Sequence, residues 1–167
     1  MEFLFVETTE HQNCCAQRDR EIPFLLVQNL TIHDCRERLY AHFTDLSSDD
    51  RILRFCSSLS DEGIAQYVNR IPQTDVIIAA VVESAIVGVC HLAWTRPKRV
   101  ELGLSVNDGY RGRGIASKLF REAISRPDVE GVILHCLPHN LGMKRIALQA
   151  GCTMEVVDGE VTAWVEK

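Results

Sequence analysis

The densest concentration of potential chemistry in this chain is the segment Val106-Asn107-Asp108-Gly109-Tyr110-Arg111-Gly112-Arg113-Gly114-Ile115-Ala116-Ser117. An apolar, strand-like run precedes it and helical periodicity follows. Gly112, Gly114 and Ala116 occupy alternate positions at the helix entrance, with Arg111 and Arg113 between or beside them. Small residues there let backbone N–H groups approach a ligand closely. The first-turn amides lack intrahelical partners and present partial positive charge. An anion suits such a turn, and a diphosphate is its natural occupant. The other reading is a tight strand-to-helix turn with solvated arginines. No Lys-Ser/Thr pair follows the last glycine, so the nucleotide P-loop pattern is missing, and G-x-G-x-x-G is not met either.

Glu101 is the candidate for proton transfer. It lies on the run Val100-Glu101-Leu102-Gly103-Leu104-Ser105-Val106, which leads directly into the glycine loop. A two-residue period sets Leu102, Leu104 and Val106 on one face and Glu101, Gly103 and Ser105 on the other. The second face is polar and small, with room for a ligand along the backbone, and Gly103 is a candidate bulge. A carboxylate facing a partly buried cleft can have its pKa raised toward working pH and take a proton, directly or through water. A solvated Glu on an open sheet face is the competing reading.

The elements that position these residues follow from periodicity. Pro23 to Val27 reads as a first strand. Thr31 to Leu46 is a helix capped by Thr31; Ser48 to Ser57 and Ser60 to Ile71 are two shorter ones, the last capped by Ser60. The β-branched run 76–82 turns at Glu83-Ser84 into 86–94, an antiparallel hairpin, and 100–106 follows the Arg96-Pro97-Lys98-Arg99 turn. Residues 113–125 form a helix with Ile115, Leu119, Phe120, Ala123 and Ile124 on one stripe. A strand at 132–137, a helix from Leu141 to Ala150 with Gly151 as its C-cap, and strands 154–157 and 161–165 joined by Asp158-Gly159 complete the chain. The pattern predicts an α/β (α+β) fold: a mixed, mostly antiparallel sheet of six to seven strands with helices on both faces. Residues 23–167 form the single domain, and residues 1–22 an extension with at most one short strand.

The chain's 167 residues suffice for one domain with a real core. Net charge is −5 and the sequence pI about 5.7, with no dense Lys/Arg cluster, which argues against a nucleic-acid partner. No apolar run is long enough to cross a bilayer and the first residues do not read as a signal peptide. The seven cysteines are scattered without a C-x-x-C pair, as expected of reduced thiols in a cytoplasmic protein. His11, His33, His42 and His139 lack metal-ligand spacing, and no metal site is expected. His91, His135, Cys136 and Cys152 read as core or cleft residues, since an acyl-cysteine route would need a paired base.

The loop resembles the GNAT acetyl-CoA signature [QR]-x-x-G-x-[GA], with Arg111, Gly114 and Ala116 at its fixed positions. Leu137-Pro138-His139-Asn140-Leu141-Gly142-Met143, leading to Ala150-Gly151-Cys152, resembles the stretch after that family's fifth strand. Leu46-Ser47 with Arg54-Phe55 resembles the GNAT domains of bacterial protein-lysine acetyltransferases. The likeness covers roughly residues 23 to 167. It implies an acetyl-CoA-dependent N-acetyltransferase acting on a primary amine, a protein lysine or a small molecule, by direct attack in a ternary complex. The resemblance assigns acetyl-CoA contacts to Leu104, Ser105, Val106, Arg111, Gly112, Arg113, Gly114, Ile115, Ala116, Ser117, Asn140 and Met143, and the base to Glu101. Asn140 is also an ordinary N-cap. Two departures stand out. Ala147 occupies the position of the family's general-acid Tyr, and Cys152 that of a Phe. Tyr110 reads either as a substitute acid or as a packing residue. The departures keep two rivals in view, a non-catalytic acyl-CoA-binding regulatory module and, on the glycine loop alone, an ATP- or GTP-dependent enzyme. A monomer or a homodimer is expected, with no membrane contact.

Overall fold

The computed structural model describes residues 25–167. The expected extension, 1–22, and the start of the first expected strand lie outside the described residues. The elements run β1 (Leu26–Leu30), α1 (Ile32–Thr44), α2 (Ser48–Phe55), α3 (Asp61–Arg70), β2 (Val76–Val82), β3 (Ala85–Arg96), β4 (Arg99–Val106), α4 (Ile115–Ser125), β5 (Gly131–Cys136), α5 (Leu141–Gln149), β6 (Thr153–Val157) and β7 (Glu160–Glu166). A short 3-10 turn, Asp108–Tyr110, links β4 to the glycine loop.

Local chemistry sets the boundaries. Thr31, Ser47, Ser60 and Asn140 each accept a backbone N–H of the following turn through the side chain, so every one of these helices begins at a real cap. The α4 helix starts later than its periodicity suggests. Gly114 sits at φ +74°, in the left-handed region, and the helix cannot begin until Ile115. At the other end of the chain Asp158 and Gly159 both have positive φ, the geometry of a type I′ hairpin turn between β6 and β7.

The strands form one seven-stranded sheet in the order β1-β2-β3-β4-β5-β7-β6. Among the described residues only β4 and β5 pair in parallel, joined by the α4 crossover. Alternation along the strands separates two cores. Ile78, Ala80, Cys90, Leu92 and Leu102 face Leu119 and Phe120 of α4 and Met143 and Ala147 of α5. Ile77, Ala79, Val81 and Val89 face Leu39 and Phe43 of α1 and Ile64 and Val68 of α3. Gly88 lets α4 approach closely: a side chain there would press on Ile115, Leu119 and Val106. The expectation of a mostly antiparallel sheet clad on both faces holds. Among the described residues, no helix is long and apolar enough to cross a membrane.

The β4–β5 ladder is short. It pairs Arg99 to Glu101 with Gly131 to Ile133 and then ends. Beyond Glu101 the two strands part, β5 continuing its pairing with β7 instead. The resulting notch in the middle of the sheet opens toward the glycine loop.

Candidate active site

Two neighbouring cavities occupy this notch. The first, about 430 Å³, is lined by Leu104, Ser105 and Val106 of β4, Arg111 and Ala116 of the loop, and Asn140 and Met143 of α5, among others. Leu46, Asp50, Leu53 and Arg54 close it from the α2 side. Seven of the sequence-assigned ligand residues therefore converge on this cavity, while Gly112, Arg113 and Gly114 do not line it. Ile115 is 2% exposed and its side chain belongs to the core, so only its backbone is available to a ligand. Ser117 opens instead on a small separate hollow beside Phe120 and Arg121.

The loop geometry leaves a run of backbone amides free. Gly112 and Gly114 both have positive φ, and an added Cβ at either would meet nothing within 4 Å, so conformation rather than crowding demands glycine there. Lys118 donates back to the Gly114 carbonyl at 3.0 Å, but from Gly112 to Ser117 no backbone N–H finds an acceptor among the described residues. The unpaired amides stand at the N-terminus of an eleven-residue helix. Arg111 braces the loop. Its Nε donates to the Val106 carbonyl at 3.0 Å and its Nη2 pairs with Asp50 at 2.6 Å, tying the loop to α2. Burial pushes the Asp50 carboxyl up, but the Arg111 and Ser47 hydrogen bonds outweigh it and hold the group below its ordinary value. Arg113 lies over the Tyr110 ring, 5.9 Å from its centroid. Tyr110 lines neither cavity and packs against the α4-side core, so the packing reading of that residue holds. Asn140 is the N-cap of α5, its Oδ1 accepting from Met143 N–H at 3.1 Å, and it also lines the cavity.

The second cavity, of similar volume, is lined by Glu101, Gly103, Arg54, Tyr67, Cys56, Cys136, His135 and Glu160, among others. Glu101 is exposed, and no ion pair among the described residues engages it. Cys56 is raised first by burial and then by the charges of Glu160 and Glu101, which places both carboxylates at the same opening. Cys136 and Cys152 are buried thiols raised by burial, unsuited to act as nucleophiles. Ala147 is fully buried in the α5 core, so α5 offers no acid at that position.

Several polar side chains on the Glu101 face carry no chemical role in the sequence, where His91 reads as a core or cleft residue. His42 of α1 is buried. Its Nδ1–H donates to the Ile86 carbonyl at 3.1 Å, which leaves Nε2 to accept from the Ser105 hydroxyl at 2.9 Å. Burial brings its pKa down to about 4. The folded state thus refuses a proton that the unfolded chain accepts. Stability from this source is complete above pH 6.5 and is lost as pH falls toward 4, by roughly 3 kcal/mol in all. In urea melts across that range, His42→Asn should flatten the acid-side slope by about that amount; an unchanged slope would assign acid sensitivity to other groups. Buried Asp75 and His91 form a second chain with half-buried Tyr67, Asp75 Oδ2 to His91 Nε2 at 2.9 Å and His91 Nδ1 to Tyr67 Oη at 2.8 Å. Strand alternation exposes part of this pattern, since His91 lies opposite Gly103 on β4. Tyr67 and Asp75 are too far away in sequence for spacing to reveal. No group of three or more His, Cys, Asp or Glu among the described residues could hold a metal ion.

The comparisons agree with this architecture. A family model described as acetyltransferase (GNAT) domain matches residues 25–153. No curated protein matches the sequence. Among solved structures, the GNAT domain of S. lividans PAT superposes with a TM-score of 0.71 at 24% identity, covering 86% of this chain and 90% of that one. Ribosomal-protein-alanine N-acetyltransferase from Brucella melitensis gives 0.66 at 20% identity, covering 86% and 100%. Ribosomal-protein-S5-alanine acetyltransferase from Vibrio fischeri gives 0.66 at 13% identity, covering 87% and 94%. At these identities the likeness is one of fold.

Proposed function

The chain belongs to the acetyltransferase (GNAT) domain family, and from that membership we propose that it transfers an acetyl group from acetyl-CoA to a primary amine by direct attack. The observation that carries this reading is the run of unpaired amides at Gly112 to Ser117, beside a cavity lined by Arg111 and Ala116 that adjoins a second one lined by Glu101. A diphosphate on those amides is held by backbone donors and the helix terminus, with Arg113 adding charge and Arg111, paired with Asp50, bracing the loop. An extended arm from there fits along Leu104, Met143 and Asn140 in the notch. A backbone N–H of the parted β4 edge polarises the thioester carbonyl, and Glu101 takes the proton that frees the amine.

With Ala147 buried, the thiolate leaves without an acid from α5. Thiols have pKa values near 8.5, so it is a fair leaving group unaided. The acceptor enters past Glu101 and Glu160, which favours a cationic amine. The names of the Brucella and Vibrio neighbours, together with the lysine-acetyltransferase resemblance, make protein amines the first class to test. The buried Ala147 also favours the second reading, a non-catalytic acyl-CoA-binding module. Incubation with acetyl-CoA and a panel of lysine peptides, free N-terminal peptides and polyamines, read by mass spectrometry, separates them. An acetylated amine supports the enzyme; acetyl-CoA binding with no acetylated amine supports the module.

A further inference from the structure

The acyl carbon must lie where the cofactor-side cavity meets the acceptor-side cavity, because one delivers the group and the other receives it. Leu53, Arg54, Leu104 and Met143 line both. Of these only Arg54 carries a charge.

That charge is held from every side. The Arg54 Cζ lies 4.9 Å from the ring centroid of Phe55, 5.5 Å from Phe43 and 5.8 Å from Tyr67. The guanidinium fills the space above Gly103, where any Cβ would collide with it. Its Nη2 donates to Tyr67 Oη at 3.1 Å. The chain behind it has one direction. Asp75 only accepts, so His91 Nε2 carries the proton between them. His91 Nδ1 then accepts the Tyr67 O–H, and the Tyr67 oxygen is left to accept from Arg54. Burial holds His91 below the ordinary imidazole range, which keeps that polarity.

The cation nevertheless has no counter-ion. Among the described residues Arg54 forms no ion pair, and its buried Nε has no hydrogen-bond partner. A half-buried guanidinium without an anion is costly in a resting structure. It is complementary to negative charge that appears at this junction only during reaction.

We propose that Arg54 is a catalytic residue that stabilises the oxyanion formed when the amine adds to the acetyl thioester, and that Tyr67, His91 and Asp75 are the positioning residues that hold it. This rests on the acetyl-transfer reading above. The nitrogen lone pair forms the C–N bond while the carbonyl π pair moves onto oxygen, against the guanidinium. The pair returns, the C–S bond breaks and the thiolate leaves. The ammonium loses one proton through Glu101 to solvent and a second that ends on the thiolate. The products are the amide, the thiol and a free proton.

The test is steady-state kinetics on the best amine from the panel, with acetyl-CoA affinity by calorimetry and thermal melts alongside. Arg54→Met should lower kcat by about a hundredfold or more, with acetyl-CoA affinity and melting behaviour kept. Arg54→Lys should recover part of that loss by restoring the charge. Tyr67→Phe keeps the ring but drops the hydroxyl, and should lower kcat by about tenfold. Gly103→Ala should also lower kcat, by displacing a chemically intact Arg54. Wild-type kcat in Arg54→Met, or a rate loss fully explained by weaker acetyl-CoA binding, overturns the assignment. If Arg54→Met does not fold, Arg54→Lys and Tyr67→Phe decide, and wild-type kcat in both overturns it. A wild type that neither binds acetyl-CoA nor transfers it removes the acetyl-transfer reading and this inference together. Activity indifferent to these substitutions removes only the inference.

Discussion

Glu101→Gln is expected to lower kcat by at least about a hundredfold while leaving acetyl-CoA affinity within about twofold of wild type. The amide is isosteric with the carboxylate but cannot accept the amine's proton. Glu101 lines the acceptor-side cavity and not the cofactor-side one, so ground-state binding of acetyl-CoA has no reason to change. The rate loss should shrink as pH rises, because at higher pH a larger fraction of the amine is already deprotonated and needs no base. Steady-state rates at several pH values, with calorimetry on both proteins, make the check. Equal turnover for the two would take Glu101 out of the mechanism and leave proton removal to solvent.

Gly114→Val should abolish measurable acetyl-CoA binding. Gly114 sits at φ +74°, which a β-branched residue tolerates poorly. Space is not the obstacle, since a Cβ there would touch nothing within 4 Å. The loss comes from the loop relaxing to negative φ and re-orienting its free amides. Because the loop is exposed and Leu119, Phe120 and Ala123 anchor α4 independently, the variant should still fold with a cooperative melt. Retained affinity in a folded variant would mean that the diphosphate does not use this loop.

Much of this arrangement was legible in the sequence because it rests on short-range rules. The strand pair 76–94 announces itself by β-branched runs around a polar turn, and the caps at Thr31, Ser60 and Asn140 by residue type and position. The glycine loop and Glu101 are separated by a single strand, so a period of two was enough to put the carboxylate on the polar face. The start of α4 was misjudged because helical periodicity continues through Arg113, while the positive φ of Gly112 and Gly114 is a backbone property that the pattern does not carry. The sheet order β5-β7-β6 and the early end of the β4–β5 ladder depend on which long-range pairings win. Arg54, Tyr67, Asp75 and His91 come from α2, α3, the loop before β2 and β3. Each alone reads as an ordinary polar residue, and only the packed fold joins them into the hydrogen-bonded chain that ends at Arg54 over Gly103. The resemblance singled out Arg54-Phe55 but could assign Arg54 no role, because its partners are brought to it by tertiary structure.

The proposed chemistry requires acetyl-CoA to bind at the Gly112–Ser117 amides and the notch beyond them. Calorimetric titration of the wild-type chain with acetyl-CoA, and separately with ATP, tests it most directly. Acetyl-CoA should bind with a Kd on the order of micromolar, and ATP should show no comparable binding. No acetyl-CoA binding, or ATP binding as tight, would contradict the proposed chemistry and leave the amide cradle to a different phosphate ligand.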